Sequence, residues 1–314
     1  MQQLHKPGVY VAGHTGLLGS AIVRAAMADA RYDLILRTRR ELDLLDCRAV
    51  GRFLEQERPD SIILSAAKVG GIQANINDPV GFLLENQIIN ANVIGGALQA
   101  GVRKMIYVGS SCMYPRDYMS PLKEEYILAA PLEPTNEGYA LAKISGARLC
   151  EYCNRQHSTN YRVLIPCNLY GSGDHFDPVS AHLIPAAISK LHQAKMNRER
   201  SVTIWGDGKA RREFLFVEDL ARFMVDCLDH LEGLPDYLNV GYGSDFSVLE
   251  YYRMAAEVIG YTGDFEFDTT RPVGMARKLL DSSRAAAYGW HPATDPSEGI
   301  SLTYSHYLDT LENN

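Results

Sequence analysis

Long hydrophobic runs are missing from this chain. Its most apolar stretch, 61–67, is far too short to span a bilayer. The first eight residues are polar and lead straight into a strand-like segment, so no secretory leader is expected and a cytoplasmic location is. Excess positive charge is missing too. There are 31 Lys and Arg against 38 Asp and Glu, a formal net charge of -7, whereas a general nucleic-acid binder needs a basic surface. A phosphate-bearing small molecule needs only a few well-placed Arg and Lys, and that class stays open. The 6 cysteines, at 47, 112, 150, 153, 167 and 227, form neither a disulfide framework nor a paired metal spacing. Cys150 and Cys153 make a CxxC, but in mid-helix, with no second CxxC and no neighbouring His cluster. A packing role is expected for them, and no metal.

What is present is a sustained alternation. The 314 residues suffice for one large α/β domain, alone or with a smaller cap. Strands are expected at 9–12, 33–37, 61–66, 104–109 and 161–165, and helices at 17–29, 49–57, 80–100 and 139–156. Strands alternating with helices imply right-handed crossovers and a Rossmann-type, doubly wound parallel sheet covered on both faces. After Pro166 the texture changes: 171–178 is turn-rich, 181–193 helical, and 201–205 strand-like before a charged loop at 206–213. A nucleotide-binding domain over 1–166 is therefore expected. A smaller α/β lobe would occupy 167–314, with some segments returning to the first domain.

Between the first strand and helix lies Gly13-His14-Thr15-Gly16-Leu17-Leu18-Gly19. Glycines there permit a tight turn and close backbone approach to a pyrophosphate, and the helix N-terminus supplies N–H groups. The end of the second strand selects the cofactor. An acid there would bind a ribose 2′-hydroxyl, but this chain has Arg37-Thr38-Arg39-Arg40. A guanidinium can clamp a 2′-phosphate, so NADPH is expected over NADH, with Arg39 as first choice and Arg37 as second.

Tyr139-Ala140-Leu141-Ala142-Lys143 is YxxxK, whose spacing puts both side chains on one helical face. A nearby ammonium is expected to lower the phenol pKa, so that the pair exchanges a proton with a carbonyl oxygen while hydride moves at carbon. Gly109-Ser110-Ser111-Cys112 follows a buried strand, where ligands sit in open α/β sheets. Ser110 can hold the carbonyl. Cys112 on its own reads as a small packing residue. Adjacent acids of the kind a sugar-nucleotide dehydratase uses are not found at 111–112, and a permanently NAD-holding epimerase would favour an acid over Arg39. A non-catalytic NADPH sensor would be expected to lack the Tyr/Lys pair.

Across residues 8–290 the chain resembles the extended short-chain dehydrogenase/reductase family. The resemblance is carried by AGHTGLLGSAI (12–22), AAKVGGIQAN (66–75), GSSCMYP (109–115), LEPTNEGYALAKISG (132–146), NLYGSGDHFD (168–177), HLIPA (182–186) and WGDGKARREFLFVEDLA (205–221). The similarity is greatest to the branch that epimerises and then reduces a GDP-linked 4-keto-6-deoxy sugar. That resemblance implies Cys112 as base and His182 as acid for proton exchange beside the C4 ketone. Reduction by NADPH would follow, with Tyr139 as proton donor, Lys143 as its partner and Ser110 on the carbonyl. It further implies cofactor contacts from Val108, Gly109, Ser110, Ser111, Lys143, Pro166, Cys167, Asn168, Leu169 and His182. Substrate contacts would come from Lys190, Trp205, Arg212 and Lys278, and the long helices at 80–100 and 139–156 would build a homodimer. Thr15 departs from members that carry Arg there, which shifts the 2′-phosphate onto Arg39 and its neighbours. The nearest rival function is reduction, with or without epimerisation, of another GDP-4-keto sugar such as a deoxyheptose or a 3,6-dideoxyhexose.

Overall fold

The computed structural model describes residues 6–177, 181–270 and 275–312; the expected turn-rich stretch is thus described as far as Asp177, and Pro178 lies outside. The first half runs β1 (Gly8–Ala12), α1 (Leu17–Asp29), β2 (Asp33–Ile35), α2 (Cys47–Glu57), β3 (Ser61–Leu64), α3 (Ile72–Asn77), α4 (Pro79–Gln99), β4 (Lys104–Val108), α5 (Glu137–His157) and β5 (Asn160–Pro166). The second half continues β6 (Asn168–Tyr170), α6 (Leu183–Asn197), β7 (Ser201–Trp205), β8 (Arg211–Arg212), β9 (Phe214–Phe216), α7 (Val217–Cys227) and β10 (Tyr237–Val240). It ends with β11 (Phe246–Ser247), α8 (Val248–Ile259), β12 (Asp264–Asp268), β13 (Arg277–Lys278), α9 (Ser283–Ala286) and α10 (Pro296–Glu312).

Six strands form one parallel sheet in the order β10-β5-β4-β3-β1-β2. Beta-branched and aliphatic residues such as Ile62, Ile63, Val163 and Ile165 are fully buried, as befits strands covered on both faces. The chain reverses direction between β1 and β3, and the crevice outside the C-terminal ends of those strands is where such a sheet takes its ligand. Caps fix the helices that frame it. Asp46 accepts N–H bonds from Arg48 (2.9 Å) and Ala49 (3.0 Å) at the start of α2. Asp78 accepts from Gly81 (2.9 Å) just after Pro79 opens α4.

Two hydrophobic clusters divide the interior. One surrounds the large sheet and draws in Leu220, Met224 and Leu238 from the second half of the chain. The other gathers Ile188, Ile204, Phe214, Tyr251 and Ile300 around α6, α8 and α10. Cys150 and Cys153 point into the first cluster, and burial raises both thiols above their ordinary range. No helix among the described residues is long and apolar enough to cross a membrane.

Candidate active site

A cavity of about 740 Å³ opens at the C-terminal ends of β1, β3, β4 and β5. It is lined by the whole 13–19 turn, by Arg37 and Arg39, by 108–112, by Tyr139 and Lys143, by 166–169 and by His182. Residues far apart in sequence therefore meet in one crevice. Lys190, Trp205, Arg212 and Lys278 do not line it; they stand on α6, β7, β8 and β13, and Lys278 Nζ reaches Cys112 on its wall.

At one end the turn is built for close approach. Gly13 has φ +87°, and a Cβ there would come within 2.7 Å of the Ala66 nitrogen. A Cβ on Gly19 would lie 2.0 Å from the Gly13 carbonyl oxygen. Only glycine fits either place. Next to them the His14 Nδ1 is buried without a hydrogen-bond partner, and α1 begins at Leu17 with no side-chain cap. Bare backbone N–H groups and an orphaned ring nitrogen fit the oxygens of a dinucleotide diphosphate. Farther along, Arg37 is held by Glu57 (2.5 Å) and lies 5.4 Å over the Phe53 ring, whereas Arg39 is exposed on the cavity wall.

At the other end lies the proton-handling group. Lys143 is buried, its Nζ donates to the Val108 carbonyl (2.8 Å), and it sits 5.9 Å from the centre of the Tyr139 ring. Burial pushes its ammonium down to about 8. The Tyr139 phenol is instead raised above its ordinary value. Burial dominates, the Cys112 sulfur adds to it, and a hydrogen bond with Ser110 opposes both. This reverses the lowering expected from the YxxxK spacing. Desolvation sets the phenol here, and the Lys143 ammonium is committed to a backbone carbonyl.

Ser110 begins a single turn of 3-10 helix over Ser111–Met113, its Oγ accepting from the Cys112 N–H (3.2 Å). That turn aims the Cys112 Sγ at two donors, Asn136 Nδ2 at 3.2 Å and Lys278 Nζ at 3.7 Å. His182 occupies the position before α6 but makes no side-chain cap bond, so a helix-start role does not account for it. Solvent still reaches part of its surface at the cavity rim, but the protein packed around the ring desolvates its charged form and lowers the imidazole below the ordinary value. A sulfur and an imidazole on one crevice can remove and return a proton at carbon beside a ketone.

The four expected substrate residues fall into two pairs. Lys190 Nζ lies 5.1 Å over the Trp205 ring. Lys278 stands in register with Arg212 across the β8–β13 pairing, where burial lowers the Arg212 guanidinium. Sequence reasoning missed Asn136. Placed three residues before Tyr139 at a helix start, it reads as an ordinary cap, yet it lines the cavity and its Oδ1 is buried without a partner. Proximity to YxxxK was the available signal.

The NAD dependent epimerase/dehydratase family matches residues 9–241. The chain belongs to that family. Its similarity to individual members runs over nearly its full length. It is 44% identical to the GDP-L-colitose synthase of Yersinia pseudotuberculosis, over 97% of this chain and 99% of that protein. It is 45% identical to a GDP-L-fucose synthase of Azorhizobium caulinodans, over 95% of each. Among solved structures it resembles a GDP-mannoheptose C4 reductase from Campylobacter jejuni with NADP bound. That likeness has a TM-score of 0.89 and 31% identity, and covers 96% of this chain and 98% of that one. Relatives in the family thus share the whole frame while their names differ in the sugar.

Proposed function

We propose that this chain is an NADPH-dependent epimerase-reductase that converts GDP-4-keto-6-deoxy-D-mannose to GDP-L-fucose. The observation that carries this reading is one crevice holding two sets of proton-transfer groups, Tyr139/Lys143 with Ser110 and Cys112 with His182. A plain reductase needs only the first set. Residues 1–166 would mainly hold the cofactor and 167–314 the sugar nucleotide.

The 13–19 turn would cradle the cofactor diphosphate and Arg39 its 2′-phosphate, with 108–111, Lys143, 166–169 and His182 along the rest of its length. When bound, NADPH supplies the hydride that reduces the C4 ketone. Before that, the ketone acidifies the C–H bonds at C3 and C5. Cys112 takes a proton from carbon as its base, and His182 returns one to the opposite face, which inverts each centre. Ser110 donates to the C4 oxygen throughout and so also stabilises the enolate. Tyr139 then gives its proton to the alkoxide. Its raised phenol keeps the proton until negative charge develops on that oxygen, and the Lys143 ammonium offsets the phenolate left behind. Lys190, Arg212 and Trp205 suit a diphosphate and a flat ring, the first two by charge and the third by stacking.

A second reading, reduction of a different GDP-4-keto sugar, is kept open by the differing sugars of the relatives. The test is consumption of NADPH with freshly made GDP-4-keto-6-deoxymannose. Turnover that falls about 10²–10⁴-fold in Tyr139→Phe supports the proposal; absence of turnover by the unaltered enzyme sinks it. A homodimer built on α4 and α5 belongs to the same proposal. Val80, Leu84 and Leu141 leave an apolar strip exposed on those helices.

A further inference from the structure

Cys112 and Tyr139 both carry negative charge at some point in the proposed reaction, and they lie close enough that the sulfur raises the phenol. Burial governs the Lys143 ammonium, and the Cys112 sulfur acts on it only as a lesser, opposing influence. Lys143 is buried, bonded to the Val108 carbonyl and placed at the Tyr139 ring. A second ammonium, that of Lys278, lies 3.7 Å from the Cys112 Sγ. We propose that Lys278 is a positioning residue for Cys112, carried in by the second half of the chain to orient the sulfur and offset its charge as the thiolate forms. This rests on the reading of Cys112 as the base.

The backbone around Lys278 is built for such a task. Ahead of it, the Arg211 N–H donates to the Ala276 carbonyl (2.8 Å). Behind it, the Leu122 N–H donates to the Leu279 carbonyl and the Asp281 N–H to the Leu122 carbonyl, both at 2.8 Å. The Leu280 N–H is taken by the buried Glu213 carboxylate (2.9 Å). The strand bearing Lys278 is therefore pinned to both halves of the molecule, and the ammonium is delivered by a rigid frame. Asn136 completes the cradle from the start of α5, donating to the same sulfur at 3.2 Å. Lys278 also sits in register with Arg212. On this account Lys278 contributes to the base rather than directly to the diphosphate of the substrate.

The test reads the sulfur itself. The full-length protein is alkylated with iodoacetamide at neutral pH, and the rate at Cys112 is followed by peptide mass spectrometry. The exposed Cys47 is the internal reference. Lys278→Met should slow Cys112 alkylation about five- to ten-fold relative to Cys47, and Lys278→Arg should restore most of it. Deuterium uptake at C3 and C5 should fall in parallel, with little change in KM. An unchanged alkylation rate together with a raised KM would overturn the proposal and return Lys278 to substrate binding. Slowing in Lys278→Met that Arg does not rescue would also count against it. If Cys112→Ser keeps full deuterium uptake, the base itself is misassigned, and that failure is separate because the alkylation result does not depend on it.

Discussion

Tyr139 and Lys143 share a helical face, yet burial drives their titrations apart, the phenol upward and the ammonium down to about 8. Lys143 loses its charge as pH rises through that value. The limb of kcat/KM for reduction, which reports the free enzyme, should therefore fall above about pH 8. Lys143→Arg should move that limb upward, since a guanidinium stays charged; a profile flat through this range would contradict the assignment. Arg39 offers a second test on the same scale. Arg39→Ala should cost NADPH about ten-fold or more in KM while leaving NADH nearly unchanged, because only the 2′-phosphate loses a charge-assisted partner. Arg37, engaged by Glu57, should matter less. The YxxxK pair and Ser110 were legible because fixed local spacing defines them. The partners of Cys112 were not. Lys278 lies 166 positions away in sequence, and tertiary contacts, the pairing of β8 with β13 and the backbone bonds to Leu122, bring it to the sulfur.

Among elements, the turn between β1 and α1 is the most constrained. A Cβ on Gly19 would lie 2.0 Å from a backbone oxygen, and backbone cannot swing aside as a side chain can. Gly19→Ala should cost on the order of 2–4 kcal/mol of stability and abolish tight NADPH binding. Thermal melts with and without NADPH would measure both, and an unshifted melt would show that the turn relaxes freely. The period of apolar residues located the long elements closely: α1 and β7 run over the expected residues, and α4 and α5 differ by a few at their ends. β2 stops at Ile35 rather than residue 37, and beyond it Arg37 packs on Glu57 and Phe53. The short α3 was not foreseen. Six residues, IQANIN, carry too little pattern to show a helix, and it is held instead by Asn75 Nδ2 donating to the carbonyls of Gly70 (2.9 Å) and Gly71 (3.0 Å).

For the whole molecule, the alternation of strands and helices through residue 166 made the parallel sheet readable. The return of β10 to its edge was harder to see, because Tyr237–Val240 is only four residues long and follows a run of unrelated elements. Assembly gives a prediction at this scale. Leu84 is 51% exposed on α4, and Leu84→Asp should shift the mass found by light scattering after gel filtration from two chains to one. An unchanged mass would remove α4 from the interface. If epimerisation and reduction share this crevice, the product records both steps. GDP-4-keto-6-deoxymannose is incubated with the enzyme and NADPH in deuterated water, and the product is read by NMR. Epimerisation before reduction yields GDP-L-fucose carrying deuterium at both C3 and C5. A C4-reduced product that retains protium at both carbons would contradict it and leave a simple reductase.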